Sequence, residues 1–192
     1  MAFLGKIRPS LWRPNNGMRR AALLTVALLA PPGVLASPVT EELNDAQLRG
    51  SATFRYLGLP IYDAKLYTPG GAPLNWSEDI GLQLTYRKNI KKKALVNSTL
   101  DEMDRIGRSA PVRDELNRCF KAVAKGDSYL AVSDGPDKIS FWLNGQKTCT
   151  MAYPGLKRSF MSVFLGANTR SASFTHRLQG RWCSLPGSVS MR

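Results

Sequence analysis

Residues 50–67 read GSATFRYLGLPIYDAKLY, and the fold class turns on this stretch. In its first limb Ala52, Phe54 and Tyr56 alternate with Ser51, Thr53 and Arg55, the two-residue period of a pleated strand. Gly58 and Pro60 then interrupt the run, since glycine admits unusual φ and proline has no amide proton for a ladder. A second limb resumes at Ile61, with Tyr62, Ala64 and Leu66 on one side. The stretch therefore reads as two strands meeting at a bend. Arg55 is isolated among apolar and aromatic neighbours. It either carries its aliphatic stem out to water or faces an anion.

Working outward, residues 68–73 (TPGGAP) form a loop by composition. Ile80, Leu82, Leu84 and Tyr86 then alternate with Gly81, Gln83, Thr85 and Arg87, which predicts a strand with one buried and one solvated face. The basic run at 88–93 (KNIKKK) leads into a helix that reaches Ile106, with Leu95, Thr99, Met103 and Ile106 on one stripe. Ser109 is placed to cap a second helix, with Pro111 just inside it and Asp114 and Glu115 near the first turn. Its stripe of Val112, Leu116, Cys119, Phe120 and Val123 runs to Gly126. Strands follow at 128–132, 139–143 and 147–151, the last two joined by Asn144-Gly145, a pair that suits a tight hairpin because both residues accept positive φ. A helix opens at Pro154 and ends at Gly166, and a short one covers 174–178. Before the opening pair, residues 37–47 read as a polar, extended lead-in. This order of strands, helices, hairpin and helices predicts an α+β fold, an antiparallel sheet with helices layered on one face.

Residues 1–36 stand apart. Lys6, Arg8, Arg13, Arg19 and Arg20 precede a ten-residue apolar run, AALLTVALLA at 21–30, and a small-residue site at 34–36. Basic, apolar and small-residue segments in that order describe a secretory signal peptide cleaved near Ala36, with Met18 as an alternative start. The apolar run is half the length that a membrane-crossing helix needs. The expected destination is the periplasm or the exterior, with the domain over 37–180 and a tail over 181–192.

The leader holds five of the 27 Lys and Arg and none of the 14 acids, so the remainder carries a net charge of +8. Such a balance favours anionic ligands or surfaces. The 88–93 run lacks interleaved aromatics, so nucleic acid is not an expected partner. A solvated face is its ordinary role, and contact with an anionic membrane surface is the alternative. Cys119, Cys149 and Cys183 are too far apart for a zinc or CxxC site. A Cys119–Cys149 bridge and buried free thiols are both open, and free thiols are the expectation. His176 is the only histidine, and no GxSxG, HExxH, Walker or GxGxxG pattern occurs. No cofactor or metal is expected.

Two blocks carry a resemblance. The first joins Gly50, Arg55-Tyr56-Leu57-Gly58, Ile61-Tyr62-Asp63-Ala64 and Leu66-Tyr67. The second joins Gly126-Asp127, Phe141, Asn144-Gly145-Gln146, Phe160, Val163-Phe164-Leu165-Gly166, Thr169, Leu178 and Gly180. Leu84, Tyr86-Arg87 and Asn89-Ile90 lie between them. Together they resemble the chalcone isomerase-like family in its exported bacterial branch, over about residues 47–180. The resemblance implies an open-faced β-sandwich, a large antiparallel sheet with helices packed on one side. It also implies that an early-strand arginine orients a phenolate in the isomerases and holds a carboxylate in fatty-acid-binding relatives. Arg55 matches that position best, Thr53 shares its face on a regular strand, and Tyr62 completes the implied ligand site. The chain departs from the isomerases in having no counterpart of their helix-borne tyrosine and asparagine. The favoured function is therefore a non-catalytic binder of a small apolar acid, such as a fatty acid. Two alternatives stand beside it: an isomerase or intramolecular lyase using Arg55 with Tyr62 or Tyr86, and an envelope protein whose basic face binds anionic lipid.

Overall fold

Apolar and polar residues alternate along six strands that lie side by side in chain order, all antiparallel. They are β1 (Ala46–Tyr56), β2 (Leu59–Pro69), β3 (Gly81–Tyr86), β4 (Ser128–Asp134), β5 (Lys138–Leu143) and β6 (Gln146–Ala152). The architecture comes from a computed structural model that describes residues 38–181. The expected leader with its cleavage site, Cys183 and the tail beyond Arg181 lie outside the described residues. Those described belong to one compact unit.

Four helices cover one face of the sheet: α2 (Lys92–Arg105), α3 (Arg113–Cys119), α4 (Leu156–Leu165) and α5 (Ala172–Leu178). The main core lies between them and the strands, where Leu66, Leu82 and Phe141 meet Met103, Leu116, Met161 and Leu178, all fully or almost fully buried. Burying such side chains supplies most of the drive for layering helices on the sheet, at about 25 cal/mol per Å² of apolar surface. This is the α+β open-faced arrangement that the strand and helix order predicts.

The segment at 37–47 is not the extended lead-in that its composition suggests. It forms a short helix, α1 (Pro38–Glu42), on the other face of the sheet. Val39 and Leu43, four residues apart, cover Leu130, Val132 and Trp142, which point away from the main helices. Gly81 makes room for α1, because a Cβ there would lie 2.9 Å from Val39 Cγ2. At the β1 edge of the sheet, a Cβ on Gly50 would lie 2.5 Å from the Leu178 carbonyl oxygen, so the end of α5 rests directly on β1.

The second predicted helix is also corrected. It begins at Arg113 after Val112 rather than under a Ser109 cap, and it stops at Cys119 instead of Gly126. Beyond it the chain is extended: Ile90 and Val123 exchange backbone hydrogen bonds of 2.8 and 3.0 Å. The Tyr129 hydroxyl accepts the Lys121 amide at 2.7 Å. These partners outcompete helix continuation, yet Phe120 and Val123 still end up buried. The expectation of free thiols fails as well. Packing of α3 against β6 brings Cys119 and Cys149 within 5.3 Å at Cα, and they form a disulfide.

Two hairpin turns share one geometry. Asn144 and Gly145 have φ of 51° and 81°, as the sequence predicts, and Leu57 and Gly58 have φ of 49° and 79°. The second turn tips the β1–β2 hairpin. Strand β2 pairs with β3 only from Tyr62 to Tyr67, so the tip projects past the end of β3.

Candidate ligand-binding site

The pleat separates the residues that the family resemblance joins. Thr53 lies opposite Asp63 in the β1–β2 ladder, and its hydroxyl donates to the Asp63 carboxylate at 2.6 Å. Arg87 Nε donates to the other Asp63 oxygen at 2.7 Å. Burial pushes the Asp63 carboxyl up, but the bonds from Thr53 and Arg87 and the nearby charges of Arg87 and Arg55 prevail and hold it low. Arg55 is exposed, and its Nη1 donates to the Gly58 carbonyl at 3.1 Å. A register shift between Phe54 and Arg55 further separates this arginine from the regular ladder. Arg55 and Thr53 thus belong to the sheet's outer face, while Tyr62 faces the helices. The structure does not bring the three together.

Tyr62 sits instead in an aromatic cluster. Phe54 stacks on it at 5.1 Å between ring centroids, and Phe174, Tyr86 and Phe164 present edges at 6.0, 6.1 and 6.2 Å. Alternation along β1 and β2 puts Phe54 and Tyr62 on the helix face, α5 supplies Phe174, and α4 supplies Phe164. Beyond Tyr86 and Phe164 the cluster opens into a cavity of about 40 Å³ that these two rings share. Leu82, Leu84, Ala131 and Phe141 form its floor, and Leu95, Thr99 and Phe160 close it from the helices. Its walls are almost wholly apolar. An empty space of this size holds no more than a methyl-sized group or two, so a longer apolar chain has to part α2 and α4 from the sheet.

The polar end of this region is built by α2. Leu95 and Thr99 line the cavity, and Glu102 continues their stripe one turn further on. Glu102 is buried and accepts hydrogen bonds from Arg105 of its own helix and from Arg170 in the segment that leads into α5. Burial pushes its carboxyl up, but the hydrogen bonds and charges of the two arginines prevail and keep it below the usual range. Arg105 also donates to the Asn168 carbonyl at 2.6 Å, tying α2 to the same segment. Two half-exposed guanidiniums against one carboxylate leave the trio with a net positive charge.

Burial raises the Tyr62 hydroxyl far above the ordinary tyrosine value, with smaller contributions from Tyr86 and from the Glu102 charge. Tyr86 is raised mainly by burial and secondly by Tyr129. Both phenols stay protonated at neutral pH and suit hydrogen-bond donation. Asp101, Glu102 and Asp104 show no converging spacing, so the sequence carries no sign that Glu102 alone turns inward. Its partner Arg170 lies 68 residues away. His176 is exposed on α5, as its polar surroundings suggest.

A larger recess of about 310 Å³ lies elsewhere, lined by Trp76, Arg108, Arg158 and Ser162 with residues 165–168 and Ile106. Arg158 lies over the Trp76 indole at 4.6 Å. Its cationic walls contrast with the apolar cavity under the sheet. Among the described residues no cluster of His, Cys, Asp or Glu could hold a metal ion, and no helix is long and apolar enough to cross a membrane.

No protein-family model matches the chain, and no curated protein is significantly similar to it in sequence. Among solved structures it is similar to the Arabidopsis thaliana fatty-acid binding protein AtFAP1, with a TM-score of 0.56 and 11% identity over 71% of this chain and 88% of that one. At that identity the likeness establishes the fold, which is chalcone isomerase-like.

Proposed function

We propose that this chain is an exported, non-catalytic domain that binds a small apolar carboxylate such as a fatty acid in the layer between sheet and helices. The observation that carries the reading is an apolar cavity under the sheet walled by Tyr86 and Phe164, two rings that also pack on Tyr62, a buried phenol held protonated. The tail lies in the cavity and the carboxylate lies at the Tyr62 end, where Tyr62 donates to it and Arg170 supplies charge. Likeness in fold to a fatty-acid binding protein supports the ligand class. Export rests on the leader pattern at residues 1–36. In this reading the exposed Arg55, bonded to the Gly58 carbonyl, does not hold the carboxylate.

The test is displacement of a fluorescent fatty acid by unlabelled acids. Tyr62→Phe is expected to weaken binding by about tenfold, the worth of a hydrogen bond to a charged group. Arg55→Ala and Arg108→Ala are expected to bind as the wild type does. Undiminished binding by Tyr62→Phe, together with loss in Arg108→Ala, would move the ligand to the recess beside Trp76 and refute the reading.

A further inference from the structure

The large hydrophobic side chains left exposed gather at one place. Of the four among the described residues, Tyr56, Leu57 and Leu59 crowd the tip of the β1–β2 hairpin, with Leu57 86% exposed. The fourth, Leu48, lies near the other end of β1. Set beside the β5–β6 hairpin, the tip is not an ordinary turn. The β5–β6 hairpin has the same pair of left-handed residues and fills them with Asn144-Gly145, the residues such a turn prefers. The β1–β2 tip sets a leucine in the position of that asparagine, at φ 49°. A bulky side chain is strained there, and nothing packs over it in return. Both the strain and the exposure are explained if the leucine is meant to leave water.

The charge around the tip indicates what it meets. The chain leaving β3 passes the base of the hairpin, where the Arg87 amide donates to the Ile61 carbonyl at 2.9 Å. From there Arg87, Lys88, Lys91, Lys92 and Lys93 are all exposed. Lys121 and Lys125 are exposed on the strand-like segment that Val123 pairs with Ile90, so they lie at the same end. The nearby acids are already engaged: Asp63 by Thr53 and Arg87, and Asp127 by the Ala124 amide and Asn144.

We infer that this end of the molecule docks on an anionic lipid bilayer, with Tyr56, Leu57 and Leu59 entering the interface and the lysines seated on headgroups. The inference does not depend on the ligand reading. A protein groove for the tip would not need so wide a cationic surround, whereas a bilayer needs both parts.

The test is co-sedimentation of the chain from Ser37 onward, whose described residues belong to one compact unit, with vesicles of phosphatidylcholine alone or with one-third phosphatidylglycerol. Leu57→Asn provides the decisive variant, because it restores the preferred turn residue and so preserves folding. The wild type is expected to bind the phosphatidylglycerol vesicles, and to bind less as salt rises. Leu57→Asn is expected to lose about tenfold in partitioning, the worth of one leucine's apolar surface, while melting no lower than the wild type. Leu48→Asn, remote from the tip, is expected to bind normally. Wild type that stays in the supernatant, equal binding to both vesicle types, or undiminished binding by Leu57→Asn would each overturn the inference.

Discussion

Gly50 shows how much a single position without a side chain can decide. A Cβ there would come within 2.7 Å of the Arg177 carbonyl oxygen and the Gly180 amide nitrogen as well as against the Leu178 oxygen. Backbone cannot give way as a flexible side chain does, so Gly50→Ala is expected to cost about 2–3 kcal/mol in urea unfolding. Glu102 decides a different balance. With Arg105 and Arg170 as partners, its carboxyl titrates below its unfolded value of about 4.3. The stability it contributes is therefore present above that pH and is lost as pH falls through the lower, folded value. Glu102→Gln is expected to lose about 2 kcal/mol at pH 7, a figure that allows for the half-exposed arginines. The loss should shrink towards pH 3, and unfolding measured across that range checks it. Neither role is legible in the sequence. Gly50 reads as the start of a strand, because the backbone it meets is more than 120 residues away, and Glu102 reads as one of several surface acids, because its second partner, Arg170, is 68 residues away.

Among the elements, the strands are the most legible, because an antiparallel sheet leaves a two-residue period in the chain that forms it. Tyr62, Ala64 and Leu66 read as one face and are one face. Helix ends are less legible. The apolar stripe from Val112 to Val123 has helical spacing, but its last third is drawn into extended pairing with Ile90. What remains is α3, seven residues with no side-chain cap and a disulfide at its end. Such a helix depends on its attachments. Replacing Cys119 and Cys149 with serine is expected to cost about 3 kcal/mol. Amide exchange should accelerate in α3 before it does in α4, and uniform acceleration across both helices would contradict this dependence. Helix α1 escapes sequence reading because five residues carrying Val39, with Leu43 just beyond them, hold too little period to register. Only the sheet face beneath them supplies the reason to fold.

For the molecule as a whole, the order of elements is enough to predict an antiparallel sheet layered with helices, and the fold neighbour has that arrangement. The candidate site is legible only in part. Tyr62 stands out in the sequence, but its companions Phe164 and Phe174 come from helices a hundred residues further on. Arg55 stands out as the isolated charge on a strand, and the pleat turns it to the outer face. The cavity beside Tyr86 belongs to the packed layer and to no segment of sequence. It is also the feature on which the proposed binding function rests. The most direct test is native mass spectrometry of the protein, purified without detergent and incubated with long-chain fatty acids, beside Ala131→Val. That variant adds two methyl groups to the cavity floor in a strand that accepts β-branched residues. The expected result is one discrete adduct on the wild type and a clear loss of it in the variant. An unliganded mass for the wild type, or equal adducts on both proteins, would contradict a ligand held between the sheet and its helices.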